Sequence, residues 1–394
     1  MTPTAVTPIG LKTQFASVAG KEYRLERNPN FPSGSWQTSF DKVPGTGTHL
    51  EAIDTVAPSL TTSIHRLRVL GNGHPDVLSK LSGSFNQRLF GNSETRVSIP
   101  FARPDAAAGL VVSVANNVVT IKGAPAWTLG QWVFASDTQT NTYYLSIRSG
   151  AKEGFFYKIT DNTENSLTLD LQDETLDGLN ALDRVAVVPF WTLGTIFPGG
   201  IGVHASTSQF TRRTEVFLFS GTGINLSAAR TYFFMGNWRQ YGVTGNKDDD
   251  ILWPDTYFIV RHNLSTDTSL TCFGDVISSK WAIRLRSRSA GRQDNPVALP
   301  RPAAQSLNQS GLVESGAIRP SMSRFQRADE LLVFDNQAIG KNKSASATYF
   351  FFAGRWEKYG ESQRDAGDDL IFAPGTGVII RRNSSTEPGA LTPA

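Results

Sequence analysis

Cysteine is almost missing from this chain of 394 residues: Cys272 stands alone, which excludes an intramolecular disulfide framework and any zinc site built on cysteine. Long apolar runs are missing too. The longest, at 185–191 and 257–260, fall far short of the roughly 20 residues that a membrane-spanning helix needs, so no transmembrane helix is expected. The first ten residues hold no basic patch followed by an apolar stretch, which predicts no secretory leader and makes any exported form a mature or trimmed one. Excess charge of one sign is also scarce. With 38 Lys and Arg against 35 Asp and Glu, the net charge of +3 is too small and too evenly spread for a nucleic-acid groove or a polybasic membrane surface. Sustained 3.6-residue periodicity is nearly absent.

What remains is turn-rich and aromatic-rich. Thirty-five Gly and 20 Pro accompany 24 Phe, 9 Tyr and 8 Trp, and only 19% of residues are charged, a composition for a folded chain of two to four units. β-Branched and aromatic residues recur in short runs bounded by Gly, Asn, Asp and Pro, for example at 23–27, 64–70, 118–122, 142–148, 166–171, 257–262 and 378–382. These predict an all-β, multi-module protein. Short helical pieces are expected only at 76–81 and 177–182, each behind a possible capping carboxylate. Three regions follow: 1–72, a small β-sandwich anchored by Trp36; 73–195, a barrel-like module with a tight hairpin at Ala115-Asn116-Asn117; and 196–394, a pair of related units at about 205–280 and 320–394. A polar bridge at 71–75 separates the first two.

The third region carries an internal repeat. Residues 208–219 align without gaps on 323–334, with Ser, Phe, Arg, Glu and the final Phe coinciding. Further on, Gly236-Asn237-Trp238-Arg239-Gln240-Tyr241-Gly242 matches Gly354-Arg355-Trp356-Glu357-Lys358-Tyr359-Gly360, and Asp248-Asp249 matches Asp368-Asp369. Residues 297–302 also echo 97–104. Two copies are too few for an open solenoid, so they are expected to pair into one pseudo-symmetric domain.

Chemistry is harder to find. His49, His65, His74, His204 and His262 show no metal-ligand spacing, and His262, whose counterpart is Arg382, reads as a solvated strand end. No Gly-x-Ser-x-Gly occurs, and Gly221-Thr222-Gly223 and Gly375-Thr376-Gly377 lack the rest of a phosphate loop. Asp248, Asp249, Asp368 and Asp369 offer oxygen ligands for a hard cation such as calcium, or else solvated turns. The acidic stretch from Asp161 to Asp177 reads as loop solvation. Trp238, Tyr241, Trp356 and Tyr359 offer paired aromatic platforms for sugar rings or partner surfaces, or else each Trp covers the core of its own repeat. Cys272 reads as a buried apolar side chain.

From about residue 91 to the end, the succession Asn92-Ser93-Glu94-Thr95-Arg96-Val97, Trp191-Thr192-Leu193-Gly194-Thr195, Gly223-Ile224-Asn225-Leu226-Ser227, Lys341-Asn342-Lys343-Ser344 and the two Gly-x-Trp-x-x-Tyr-Gly turns resembles an uncharacterised paralogous family of exported, β-rich verrucomicrobial-type bacterial proteins. Residues 11–70 resemble a short β-module of exported proteins from the same bacteria. The resemblance implies export and an extracellular or cell-surface location, and nothing about chemistry. With no catalytic set in view, the expectation is a non-enzymatic structural or surface protein without a cofactor. It would associate with itself, as an oligomer or filament, through unpaired strand edges. The alternative is a carbohydrate-binding or adhesion protein that takes extracellular glycan on its aromatics.

Overall fold

The computed structural model describes residues 2–7, 10–56, 61–71, 76–123, 125–361, 363–384 and 389–391. Most of the expected polar bridge, residues 72–75 with His74, lies outside them. The fold is all-β and multi-module. Helix among the described residues is confined to one turn at Leu193–Ile196 and two 3-10 turns, Pro198–Gly200 and Asn308–Ser310. The pieces expected at 76–81 and 177–182 are not helical, because their carboxylates serve local loops instead. Asp76 accepts from the Gly71 N–H and Arg68, while Asp177 accepts from Thr175 Oγ1 at 2.7 Å.

The N-terminal sandwich faces a sheet of Thr2–Thr7, Gly10–Ala16 and His49–Asp54 against a larger sheet in the order Thr268–Asp275, Ser82–Leu89, Thr62–Leu70, Glu22–Asn28, Gln37–Pro44. Phe15 and Ala52 from one meet Tyr23, Leu25 and Leu67 from the other. Alternation buries a second face of the larger sheet, whose Ile64, Phe85 and Leu270 share a core with Val216, Trp238 and Val260. A boundary at residue 72 therefore cuts through a sheet. Trp36 is half-buried at the margin, with the Arg66 guanidinium 4.0 Å from its ring centre.

Six antiparallel strands, Ala107–Ala115, Val118–Ile121, Ser166–Asp170, Phe156–Asn162, Tyr143–Ile147 and Arg184–Pro189, close into a barrel in that order. The expected hairpin is present, with Asn116 at φ 55°. The apolar run from Val185 follows from burial on both faces. Val185 and Val187 fill the barrel with Leu145 and Leu167, whereas Ala186 and Val188 point outward into another core with Tyr144 and Phe156.

Two five-stranded sheets make up the rest, and they correspond strand for strand. The first runs Trp238–Gln240, Ala228–Phe234, Thr214–Phe219, Phe258–His262, Glu94–Val97; the second runs Arg355–Lys358, Ala347–Phe352, Asp329–Val333, Gly377–Arg382, Gln293–Ala298. Their registers correspond as well. Glu215 lies opposite Arg261 and Arg261 opposite Glu94, as Glu330 lies opposite Arg381 and Arg381 opposite Asp294. Each sheet also carries a short two-stranded pair, Trp191–Thr192 with Ile251–Leu252 and Gln305–Ser306 with Leu370–Phe372. The barrel thus occupies the connection after the first strand of the first sheet. In the second sheet only residues 299–304 fill that place.

The sheets hold each other by exchanged loops. Asn225, on a loop of the first sheet, donates its N–H to Asp294 (2.7 Å) and accepts from Arg381 (2.9 Å); Asn342, on a loop of the second, donates to Glu94 (2.9 Å) and accepts from Arg261 (2.9 Å). Both asparagines sit at positive φ, 53° and 54°, which their short polar side chains tolerate. The backbone repeats the exchange. Asp294 N–H donates to Gly223 C=O at 2.8 Å, and Glu94 N–H to Gly340 C=O at 2.9 Å. Each first strand is an open edge of its own sheet, and the opposite loop closes it.

Glu94 is 3% exposed and ion-paired to Arg261, so Glu94→Ala leaves a cation and the Asn342 N–H without their acceptor. Urea denaturation is expected to show a loss of roughly 3 kcal/mol, part of which Arg261→Met in the same chain restores by removing the stranded charge.

Candidate functional site

Trp238 is 0% exposed and Trp356 is 2% exposed, so neither offers a stacking face. Trp238 packs against Phe197 and Phe234, and Trp356 against Phe351, at ring separations of 5.4–5.8 Å. The expectation of paired tryptophan platforms is corrected here: each indole fills the core beneath its own outer strand. Tyr241 and Tyr359, just beyond those strands, are exposed.

Beside each exposed tyrosine stands a cluster that the sequence reading did not single out. The Arg212 guanidinium lies 4.6 Å from the Tyr241 ring centre and the Arg327 guanidinium 4.9 Å from that of Tyr359. Buried Glu215 and Glu330 fix the two arginines at 2.6 and 2.5 Å. Two residues earlier, Phe210 and Phe325 project from the surface, 79% and 96% exposed. Their loops are folded alike. Ser208 Oγ accepts from the N–H groups of Phe210 and Thr211, and Ser323 Oγ from those of Phe325 and Gln326, all at 2.9–3.3 Å. The sequence signal is Ser-x-Phe-x-Arg, which occurs in both aligned tracts with its phenylalanine between polar residues.

Most of the aspartates serve local backbone and side-chain groups. Asp248 accepts from the Trp238 N–H (2.8 Å), and the next loop caps the other backbone group of each indole residue, Lys247 N–H donating to Trp238 C=O and Ala366 N–H to Trp356 C=O. Tyr232 O–H donates to Asp250 and Tyr349 O–H to Asp369, at 2.6 and 3.1 Å. Asp250 therefore corresponds to Asp369, and Asp249 to Asp368, one position away from the sequence alignment, because the turn at 360–365 is one residue longer than that at 242–246. Asp368 accepts from Asn308, and the ion pair with Arg364 lowers the Asp369 carboxyl. Among the described residues no group of three or more His, Cys, Asp or Glu is placed to hold a metal ion. The calcium expectation at Asp248, Asp249, Asp368 and Asp369 thus gains no geometry. In the acidic stretch Glu174 is likewise engaged, by Tyr157 O–H and Arg284.

His262 is 1% exposed, not solvated. Its Nδ1 meets Thr214 Oγ1 and its Nε2 meets Thr268 Oγ1, both at 2.8 Å, with the His204 ring centre 4.7 Å away. Burial, aided by the His204 charge, lowers its pKa from 6.5 to about 4. His65 is also buried. Its Nε2 faces both Asp54 (2.9 Å) and Ser63 (3.5 Å), whereas a relay that activates a serine needs one partner on each ring nitrogen. Cys272 lies on a buried strand, where burial pushes the thiol up to about 12.

One outer strand edge is guarded. The exposed edge strand Gln37–Pro44 pairs with Glu22–Asn28 through two register shifts and carries Asp41, Lys42 at φ 50° and Pro44, all features that discourage strand addition. No protein-family model matches this chain, and neither does any curated protein.

Trp238→Ala and Trp356→Ala are each expected to cost about 3–5 kcal/mol in urea unfolding, while Tyr241→Ala and Tyr359→Ala stay within about 1 kcal/mol. Between about pH 6.5 and 4 the unfolded chain takes up a proton at His262 that the folded chain excludes. This contribution to stability is complete above pH 6.5 and declines as pH falls toward 4; urea midpoints across that range should show the decline, and His262→Gln should flatten it.

Proposed function

We propose that this chain is an exported, non-enzymatic protein of the cell surface or extracellular space, that its matched sheets arose by duplication, and that it joins copies of itself through two equivalent aromatic tips. The observation that carries this reading is the exposure of Phe210 and Phe325 at corresponding positions of the two sheets. A large apolar ring held out by a hydrogen-bonded loop costs solvation in the isolated molecule and gives an anchor in a complex. The adjoining Tyr241–Arg212 and Tyr359–Arg327 pairs add residue types that dominate interface energetics.

Each tip lies beside the outer strand of its own sheet, at the far end from the strand closed by the opposite loop. Such a molecule is bivalent. Contact between the tips of successive copies extends into a chain unless the rotation between them closes a ring. Strand addition is the less suitable route, given the bulged, charged edge at Gln37–Pro44. The family resemblance supports export, and the reading needs no catalytic group.

Sedimentation and negative-stain imaging at rising concentration are expected to show oligomers or filaments that Phe210→Ser or Phe325→Ser shortens to dimers or monomers. Wild-type monomers throughout would overturn the proposal. The exposed rings of Tyr241 and Tyr359 favour glycan binding as the second reading, which affinity electrophoresis with polysaccharides tests. Retardation that Tyr241→Ala with Tyr359→Ala abolishes would support it, and unchanged retardation would contradict it.

A further inference from the structure

The two matched sheets meet around a cleft of about 640 Å³, a size typical of small-molecule sites. Its walls come from both sheets in corresponding pairs: Phe217 with Leu332, Phe219 with Phe334, and Ile259 with Ile379. The two exchanged asparagines stand on its rim. Glu94 and Asp294, the two acids that line it, are each engaged by an arginine of their own sheet, Arg261 and Arg381.

The correspondence breaks at Tyr257, whose counterpart is Gly377, and at two further lining positions, which both place a cation on the same side. Arg96, opposite Ile259, stands where the second sheet has Pro296, opposite Ile379. Lys343 follows Asn342 where Leu226 follows Asn225. Arg96 is 6% exposed and forms no ion pair with a described carboxylate. Its guanidinium lies 3.4 Å from the centre of the Phe334 ring, and its Nε and Nη1 have no hydrogen-bond partner. Lys343 Nζ donates to the carbonyl oxygens of Asp335 and Ala338, both at 2.9 Å, and forms no ion pair with a described carboxylate, although the charges of Asp335 and Glu94 act on it. Burial, and then the charge of Arg96, lower its pKa.

A buried guanidinium with two donors lacking acceptors, next to a second cation, is an unfavourable arrangement that an anion would relieve. A carboxylate suits such donors because an ionised oxygen accepts a short, charge-assisted N–H bond. Across the cleft, the equivalent side presents Pro296, Leu226 and Phe219, which have no charge to offer. Polarity therefore changes from one half of the cleft to the other, although its framework is symmetric.

We propose that this cleft binds a small organic anion with an apolar body, its carboxylate seated between Arg96 and Lys343 and its body along Leu226, Phe219 and Ile379. The site is independent of the exposed tips, so it stands or falls apart from self-association.

Isothermal titration calorimetry of the full chain with decanoate, acetate and decyltrimethylammonium, all below their micellar concentrations, tests it. Decanoate should saturate a single site, with acetate and decyltrimethylammonium weaker by about tenfold or more, since one lacks the body and the other the charge. Arg96→Gln should weaken decanoate by about tenfold or more, the loss of a charge-assisted hydrogen bond. If that variant fails to fold by circular dichroism, Lys343→Gln, at a half-buried loop position, and Leu226→Asp, which puts a carboxylate in the apolar half, should each weaken it measurably. No decanoate binding, equal binding of decyltrimethylammonium, or unchanged affinity in the folded variants would overturn the proposal.

Discussion

Two asparagines placed on each other's sheets, Asn225 and Asn342, hold the centre of this molecule in register. Each reaches a carboxylate and an arginine that already pair on adjacent strands, and so bonds to an ion pair that its own sheet does not contain. Burying such pairs is costly unless every donor and acceptor is used. The loops complete that requirement: the asparagine N–H takes a carboxylate oxygen, its side-chain oxygen takes a guanidinium N–H, and the glycine two residues earlier closes the strand edge. The arrangement is isologous, with the same contact made twice in opposite directions, as in a two-fold dimer. Tyr257 lies against its own counterpart, Gly377, where a Cβ would come within 2.4 Å of it.

The other modules are arranged around that pair. A closed barrel leaves no unpaired edge, so it can be carried in a connection of the first sheet without disturbing its pairing. Its outer face, with Tyr144, Phe156 and Val188, shares a core with Trp356 and Leu331 of the second sheet. The N-terminal sandwich meets the first sheet through Ile64, Phe85 and Leu270 beside Trp238 and Val260. Each matched sheet thus has a different neighbour at its back, and both keep an aromatic tip in solvent. A framework whose centre is rigid and whose ends are exposed is suited to bearing contacts at those ends, which is the physical content of the proposed function.

The sequence was legible where chemistry is local. Alternating strands, the Asn116 hairpin and the tracts 208–219 and 323–334 follow from residue pattern, because side-chain direction and turn conformation are set within a few positions. Pairings across long separations were not. Glu94–Val97 joins Phe258–His262 across the whole barrel, and Thr268–Asp275 joins the N-terminal sheet, contacts that no local pattern encodes. Burial was ambiguous for Trp238 and Trp356, since a tryptophan between glycines suits an exposed turn or a core plug equally. The aspartates correspond one position away from the sequence alignment because the turns differ in length, and the coinciding Phe210 and Phe325 carry no mark of exposure because residue pattern alone does not separate a ring in solvent from a packed one. His262 looked solvated because its counterpart is an arginine; in the fold Arg382 is buried as well, 2% exposed.

Native-state hydrogen exchange at the amides of Glu94, Asn225, Asp294 and Asn342 tests the exchanged-loop account most directly. If the two sheets form one clamped unit, these four amides exchange only through the global unfolding event, with a common free energy that follows denaturant in the same way as strand amides such as Val216 and Leu331. Exchange of Asn225 and Asn342 through small local openings, while the strands stay protected, would contradict it and leave the sheets as neighbours without a shared centre.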